Sequence, residues 1–161
     1  MNTQTSVDFI SQSPDQTFLV GEHLGTLCQG GEMIWLSGAL GCGKTALAQG
    51  IARGLGIQGS VTSPTFTVLK EYQGRLALFH FDFYRFEGQE RAAAIEFADY
   101  RRDDAVCAVE WAEHAADFLP DEYLLVKIGV VSPTKRALQF RPRGARYERL
   151  MQSFQTLAFR P

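Results

Sequence analysis

The chain has 161 residues, of which 45% are hydrophobic and 21% charged, and its net charge at neutral pH is −2. This length and apolar content suit a single domain, residues 1–161, with a sizeable core. No run approaches the roughly 20 apolar residues of a membrane-spanning helix, and the polar start lacks the basic and apolar regions of a signal peptide. We therefore expect a cytoplasmic protein with no membrane partner.

The first part of the chain predicts a helix, a strand and a second helix. A first helix starts at Asp15 or Thr17 and ends at about Cys28. The short apolar run 32–37 predicts a buried strand that enters a glycine-rich turn. Residues 43–55 predict a helix, because apolar side chains recur there at every fourth position.

The remainder predicts more strands than helices. Segments 61–72 and 75–83 are rich in β-branched and aromatic residues and flank Gln73-Gly74, which indicates a hairpin. A helix is expected over 89–97. Three further strands and a closing helix are predicted over residues 105–111, 123–131, 136–141 and 145–157. Together these elements predict an α/β fold: a mixed, mostly parallel sheet with flanking helices and an antiparallel hairpin.

Residues 38–45 read GALGCGKT and match the pattern G-x-x-x-x-G-K-[ST] at every fixed position. Glycines let the backbone curl so that its N–H groups point into one concavity, and the following helix directs its positive end to the same anion. Lys44 adds a charge for the outer phosphates, and the Thr45 hydroxyl suits Mg²⁺. The fold is thus expected to be that of a P-loop NTPase. The expected phosphate-binding residues are Leu40, Gly41, Cys42, Gly43, Lys44 and Thr45.

A magnesium nucleotide site also needs a carboxylate, commonly at the carboxyl end of a buried strand. Asp82 and Glu110 each follow an apolar run and are the two candidates, with a solvated strand end as the alternative for each. Asp82 fits the metal-associated carboxylate better. Glu110 is either a second metal contact or the general base that polarises the attacking water, and the sequence leaves both roles open.

Two nearby residues carry weaker signals. Thr65, in the segment SPTF, lies where P-loop proteins often have a loop that senses the third phosphate, although Ser-Pro also marks an ordinary turn. His80 shares a face with Asp82 if the strand is regular, yet a packed core histidine is the interpretation we favour.

The identity of the nucleotide follows by elimination. A GTPase is disfavoured because Arg85 stands where the DxxG pattern has glycine, and Asn2 is the only asparagine, which excludes an NKxD motif. ATP with Mg²⁺ is therefore expected. Besides an ATPase, a small-molecule kinase and a nucleotide-operated assembly factor both use such a loop, although no lid or acceptor domain is evident.

The cysteines and the basic residues of the last part of the sequence give weaker indications of function than the phosphate loop does. Cys28, Cys42 and Cys107 are far apart and form no CxxC pair, which argues against a disulfide framework and a zinc site. Residues 135–161 hold seven basic side chains against Glu148 alone. This basic segment is a face that pairs with the acidic remainder, or a surface for an anionic partner such as nucleic acid, or it lies in part beside bound nucleotide phosphates.

Four motifs in order, GALGCGKT, SPTFTVLKEY, HFDFYR and VEW, resemble the TsaE (YjeE) family, the ATPases of tRNA threonylcarbamoyladenosine synthesis. The resemblance extends from Thr17 to Trp111, and the second and third motifs are far more specific than the phosphate loop. The chain departs from the family's GDLGAGKT at Ala39 and Cys42, and has Ala112 where a proline often follows the tryptophan.

This resemblance implies a function. Lys44 and Thr45 would bind phosphates and magnesium, Thr65 would belong to a switch-like loop, Asp82 would accompany the metal, and Glu110 with Trp111 would complete the site. Family members act with TsaD and TsaB, and their ATP hydrolysis supports repeated cycles of that assembly. We therefore expect an ATPase that is weak in isolation and is stimulated by TsaD-like and TsaB-like partners. Contact with tRNA would come through the complex or the basic segment.

Overall fold

The computed structural model describes residues 6–64, 67–85 and 97–158, and the strands of these ranges form one seven-stranded sheet. The strands are β1 (Val7–Ser11), β2 (Met33–Ser37), β3 (Leu69–Tyr72), β4 (Ala77–Asp82), β5 (Ala105–Glu110), β6 (Tyr123–Val130) and β7 (Arg136–Arg143). The α-helices of the same ranges are α1 (Pro14–Leu27), α2 (Lys44–Gly54) and α3 (Ala145–Ala158). No helix in this part of the chain is long and apolar enough to cross a membrane.

The sheet has the order β1-β7-β6-β2-β5-β4-β3 and is parallel in its centre. Strand β2 pairs in parallel with both β5 and β6, and β4 pairs in parallel with β5. The outer pairs β1–β7, β6–β7 and β3–β4 are antiparallel. This arrangement confirms the predicted α/β fold class with its mixed sheet and hairpin. It also places the carboxyl ends of β2, β4 and β5 at the same edge of the sheet.

Two of the boundaries that differ from the sequence prediction have a clear physical reason. Helix α1 begins at Pro14 and is capped by Ser13, whose hydroxyl accepts a hydrogen bond from the N–H of Gln16 at 3.1 Å. Asp15 and Thr17 are therefore not its start, because serine at the cap satisfies an N–H group of the first turn. Strand β3 begins only at Leu69, so the predicted strand over 61–72 is wrong in its first part. Val68 has a φ of 69°, which interrupts an extended strand.

One strand was not predicted, and one helix cannot be compared. Strand β1 has the sequence VDFIS, with only its first and last residues buried, and it pairs with β7 at the edge of the sheet. So short a run gives little periodic signal. The helix predicted over 89–97 lies outside the described residues except for Phe97, which opens a short 3-10 turn, Phe97–Tyr100.

The two faces of the sheet bury alternate residues of the same strands. Leu78 and Val106 face the three helices, whereas Phe79 and Cys107 belong to an aromatic-rich cluster on the other face. Because side chains of a strand alternate between faces, Asp82 has the same orientation as Leu78. Glu110 likewise shares the face of Val106. Both carboxylates therefore lie on the helix-covered face, at the edge where β2 leads into α2.

Helices α1 and α2 touch through glycines. A methyl group added at Gly21 would lie 2.4 Å from the carbonyl oxygen of Leu47, and one added at Gly50 would lie 2.0 Å from that of Phe18. Gly25 and Gly54 are equally confined. The two backbones therefore pack directly against each other, which fixes α2 relative to the sheet.

Cys28, Cys42 and Cys107 are buried free thiols. Burial raises the pKa of Cys107 to about 12, and the pKa of Cys28 is raised well above its usual value, chiefly by burial and secondarily by the nearby charge of Glu32. Both are consequently protonated at neutral pH and poorly nucleophilic.

Candidate functional site

The loop between β2 and α2 forms a hollow lined by backbone. Gly41 and Gly43 have φ values of 75° and 115°, in the left-handed region that favours glycine. A methyl group at either position would meet nothing within 4 Å, so both glycines border open space. The N–H group of Gly43 finds no acceptor among the described residues. An unpartnered donor, space without side chains and the start of a helix together suit a phosphate group.

Lys44 lies across the mouth of this hollow. The residue is only 6% exposed, and its ammonium group donates hydrogen bonds to the carbonyl oxygens of Gly38 and, at 3.1 Å, Ala39. The same Nζ atom is 4.9 Å from the ring centroid of Trp111, a cation–π contact. The ammonium group is therefore fixed beside the hollow before any ligand arrives.

Trp111 owes its position to a left-handed backbone conformation, with φ 56° and ψ 42°, at the end of β5. This conformation is unfavourable for a residue with a side chain and is typical of functional sites. Tyr84 and His114 pack against the indole with ring centroids 5.1 and 5.4 Å away. The turn thereby directs a supported aromatic ring toward Lys44.

Asp82 and Glu110 are directly paired residues of β4 and β5, and both are buried. The Oδ1 atom of Asp82 accepts a hydrogen bond from the N–H of Tyr84 at 2.8 Å, and its Oδ2 accepts one from the Ser63 hydroxyl at 3.1 Å. These bonds hold the Asp82 carboxylate in one orientation at the end of its strand.

Glu110 has a different environment. Its Oε2 atom lies 2.8 Å from Nε2 of His80, whereas Oε1 accepts no hydrogen bond within the described part of the chain. An ionised carboxylate only accepts, so Nε2 of His80 donates the hydrogen. One oxygen of Glu110 is thus anchored by His80, and the residue also lines a cavity at this edge of the sheet.

His80 is fully buried, as expected of a core histidine, but it is also part of this site. Its second ring nitrogen, Nδ1, has no hydrogen-bond partner in the described ranges. The alternation of the strand provided a signal for its position, since His80 and Asp82 share a face. The expectation of a purely packed histidine is therefore incomplete.

These groups surround a cavity of about 380 Å³ at the carboxyl edge of the sheet. Its lining residues are Leu40, Gly41, Gly43, Lys44, Thr45, Ser63, Asp82, Glu110 and Trp111. Most residues expected from the sequence therefore converge. Cys42 is the exception among the loop residues, because its side chain is buried behind the loop. Thr65 lies outside the described residues.

A larger groove contains fewer side chains that could take part in catalysis. It has a volume of about 700 Å³ and lies between the carboxyl end of α2 and residues 56–62. Arg53 is the only charged residue among those that line it. The smaller cavity combines a lysine, two carboxylates and two hydroxyls, so it is the better candidate for catalysis.

The donor set of this cavity fits a magnesium nucleotide. Within the described residues, no three histidine, cysteine, aspartate or glutamate side chains converge as a metal cluster. Magnesium, however, is usually held by one or two carboxylates together with phosphates and water. The Thr45 hydroxyl, Asp82 and Glu110 supply hard oxygen ligands of that kind beside the backbone hollow.

Arg136 is a site-adjacent residue that the sequence indicated only as one member of the basic segment. Its Nε atom donates a hydrogen bond to the carbonyl oxygen of Cys42 at 2.7 Å, although the two residues are 94 positions apart. Three other arginines of the basic segment also have intramolecular partners. Arg141 pairs with Asp8, Arg143 donates to the Tyr123 hydroxyl, and Arg146 pairs with Glu32.

Comparison with known proteins gives a consistent result. Residues 11–138 match the model of the family described as threonylcarbamoyl adenosine biosynthesis protein TsaE. The tRNA threonylcarbamoyladenosine biosynthesis protein TsaE of Bacillus subtilis (strain 168) is 37% identical over 139 residues, which cover 86% of this chain and 87% of that protein. Its counterpart in Treponema pallidum is 38% identical over 129 residues, covering 80% of this chain and 96% of that one. A crystal structure of Bacillus subtilis YdiB superposes with a TM-score of 0.85 at 30% identity and covers 98% of this chain and 99% of its own.

Proposed function

This chain belongs to the TsaE family, and on that premise we propose that it is the magnesium-dependent ATPase that supports threonylcarbamoyladenosine formation on tRNA. In this proposal it acts in the cytoplasm with TsaD-like and TsaB-like proteins. The transfer of the threonylcarbamoyl group to the adenosine beside the anticodon takes place on the partners, not on this chain. Hydrolysis of ATP resets the assembly for another cycle.

The observation that carries the proposal is the convergence at one cavity of the phosphate loop, Lys44, Thr45 and the carboxylates Asp82 and Glu110. Phosphoryl transfer needs positioning and charge stabilisation more than covalent chemistry from the protein. The cavity provides backbone N–H groups and a fixed ammonium for negative charge. It also provides carboxylates for a cation and for a water molecule.

The loop and Lys44 are assigned to the phosphates. The unpartnered N–H of Gly43 and the first turn of α2 orient the phosphate oxygens, and Lys44 contributes a fixed charge. Two of the ammonium hydrogens are directed at loop carbonyls, and the third makes only a long contact of 3.9 Å to Sγ of Cys42, which a phosphate oxygen would replace. Loss of Lys44 should therefore weaken phosphate binding.

Asp82 and Thr45 are assigned to the magnesium. Bound Mg²⁺ would neutralise charge on the phosphates. The hydrogen bonds from Tyr84 and Ser63 keep the Asp82 carboxylate in place for that contact, direct or through water.

Glu110 is assigned to the attacking water. Its Oε1 atom has no protein partner among the described residues and borders the cavity, while His80 holds Oε2. A carboxylate with one anchored and one available oxygen can accept a hydrogen bond from water and orient it toward a phosphate. This division of labour assigns metal binding mainly to Asp82 and water activation mainly to Glu110.

The nucleotide is proposed to be ATP, because the motifs that read guanine are absent from the sequence. Isolated protein should hydrolyse ATP slowly, since an assembly subunit needs its partners to reach its active state. The test is steady-state ATPase and GTPase activity with Mg²⁺, measured alone and after addition of TsaD, TsaB and tRNA. Asp82→Ala serves as the inactive control.

Low activity that rises with the partners and disappears in Asp82→Ala would support the proposal. If the partners neither bind the protein nor change its activity, the proposed role in tRNA modification is wrong. Rapid ATP consumption that requires a small acceptor molecule would instead indicate a kinase.

A further inference from the structure

Arg136 lies behind the phosphate loop, on the side opposite the hollow. It is the first residue of β7, and its Nε–H donates to the carbonyl oxygen of Cys42 at 2.7 Å. The guanidinium is only partly exposed. Among the described residues, it is the one charged side chain from outside the loop and α2 that donates a hydrogen bond to a carbonyl of the loop. Its Nη1 atom donates to carbonyl oxygens of the turn that precedes it.

That turn fixes the arginine. Nη1 of Arg136 donates to the carbonyl oxygens of Ser132 and Lys135 at 2.8 and 3.0 Å. The Lys135 N–H in turn donates to the Ser132 hydroxyl at 3.2 Å. The guanidinium therefore forms a bridge between the β6–β7 turn and the phosphate loop through its Nη1 and Nε atoms.

The geometry of the peptide bond gives this contact a functional consequence. The described residues contain no cis peptide bond, so the carbonyl of Cys42 and the N–H of Gly43 point in opposite directions. A guanidinium on the carbonyl side consequently orients the N–H toward the hollow, where it finds no protein acceptor. A positive donor on the carbonyl also polarises the peptide and makes its N–H a stronger donor.

We propose that Arg136 is a positioning residue for the phosphate loop: it holds the Cys42–Gly43 peptide with its N–H directed at the bound phosphate. This inference rests on the proposed function, because it needs a phosphate in the hollow. Arg136 itself does not touch the ligand. Gly43 has a φ of 115° and no side chain to restrict its peptide, so an external anchor limits the rotation that its backbone would otherwise permit.

The test compares Arg136→Gln and Arg136→Lys with two controls. Arg141→Gln removes an arginine from the same strand that pairs with Asp8 and not with the loop. Ser132→Ala removes the hydroxyl that accepts a hydrogen bond from the Lys135 N–H. This change loosens the turn but keeps the guanidinium of Arg136. All measurements are made at a temperature at which circular dichroism shows every variant to be folded.

Two quantities are measured. The first is affinity for ADP in the presence of EDTA, by calorimetry, so that no metal contributes. The second is the amide resonance of Gly43 in isotope-labelled protein without nucleotide. We expect Arg136→Gln to weaken ADP binding by about tenfold, as for the loss of one charge-assisted hydrogen bond, and to shift the Gly43 resonance. Arg136→Lys should retain most of both properties, and the two controls should bind ADP within about twofold of the unaltered protein.

Other results overturn the inference in distinct ways. Unchanged ADP affinity in Arg136→Gln shows that the loop needs no support from Arg136. Weaker binding with an unmoved Gly43 resonance shows instead that Arg136 contacts the nucleotide directly. An equal loss in Ser132→Ala assigns the effect to the turn. If the unaltered protein binds neither ADP nor inorganic triphosphate, the proposed function fails, whereas a shifted Gly43 resonance still reports that Arg136 orients the peptide.

Discussion

Nε2 of His80 lies 2.8 Å from Oε2 of Glu110, and neither residue is more than 3% exposed. The two side chains come from adjacent parallel strands, β4 and β5, which explains how the carboxylate is held at the strand end by a histidine. The bond occupies one oxygen of Glu110 and leaves the other for the cavity. A buried histidine thus orients the carboxylate proposed as the base.

Glu110→Gln should separate binding from hydrolysis. The amide oxygen of glutamine still accepts the hydrogen bond from His80, so the fold persists, but an amide cannot take a proton from water. We expect the rate constant for hydrolysis to fall by at least about 100-fold, the usual range for a lost general base, and the ATP dissociation constant to change by less than about threefold. Single-turnover hydrolysis and calorimetry give the two values. An equally large loss of ATP affinity would contradict the role assigned to Glu110.

The contribution of the His80–Glu110 bond to stability is measurable by a double-mutant cycle. His80→Leu and Glu110→Leu each leave the other polar group buried without its partner, which costs about 1–3 kcal/mol. The double variant leaves neither, so its loss of unfolding free energy should be smaller than the sum of the single losses by about 1–3 kcal/mol. Urea denaturation measures all four proteins. Additive losses would show that the bond contributes nothing to stability.

Asp82→Asn should make nucleotide binding insensitive to magnesium. The asparagine amide retains an oxygen but loses the charge that attracts a divalent cation. We expect about tenfold weaker binding of ATP with Mg²⁺, the effect of roughly one lost charged ligand contact, and unchanged binding in EDTA. Lys44→Ala is the matched comparison, since it should weaken binding under both conditions. If Asp82→Asn also binds poorly in EDTA, Asp82 serves the fold of the site and not the metal.

The glycine contact between α1 and α2 predicts an unusual response to alanine. Gly→Ala in a helix normally stabilises by about 1 kcal/mol. At Gly50 the added methyl group would lie 2.0 Å from the Phe18 carbonyl oxygen, so we expect a loss of about 2 kcal/mol or more from overpacking. Gly129→Ala is the control, because its nearest neighbour would be 4.0 Å away. Thermal and urea unfolding compare them, and a stabilised Gly50→Ala would show that the helices separate at little cost.

Stability should fall in alkaline solution partly through Cys107. Burial raises the pKa of this thiol from 9.0 to about 12, so the folded protein retains a proton that the unfolded chain releases. Its stabilising contribution is complete below pH 9 and is lost as the pH rises toward 12, because the folded state binds the additional proton. Cys107→Ser, whose hydroxyl can still donate to the Tyr100 carbonyl, removes this titration. Between pH 9 and pH 11 its unfolding free energy should decline less steeply than that of the unaltered protein; equal slopes would exclude a contribution from Cys107.

Local patterns predicted most elements of the fold. The apolar run before the phosphate loop and the four-residue spacing after it correspond to β2 and α2, and the runs ending at Glu110 and Val131 correspond to β5 and β6. The predictions failed where contacts between elements distant in the sequence determine the backbone conformation. Strand β1 exists because β7 offers it an edge, and β3 begins only at Leu69 because Val68 adopts a positive φ.

The candidate site was predictable where the chemistry is local or strand-bound. The phosphate loop is a contiguous motif, and Asp82 and Glu110 end apolar runs that had to be buried. The register that pairs these two residues, and the bond that His80 makes to Glu110, depend on which strands are neighbours. Arg136 was indicated only as one residue of the basic segment, since its partner is a main-chain carbonyl 94 positions away. The binding roles themselves stay predictions until the variants above are measured.

The position of β2 in the middle of the sheet has a consequence for how the protein is made. Residues 34–37 of β2 pair with residues 124–127 of β6, so a ribosome completes the phosphate loop long before it supplies the strand beside it. Until then one side of β2 is an open edge that invites incorrect pairing. The arginine behind the loop arrives later still, with β7. A nascent or truncated chain that lacks β6 and β7 therefore carries the phosphate-loop motif without the surroundings that shape it, and competence to bind nucleotide should appear only after β7 has been made.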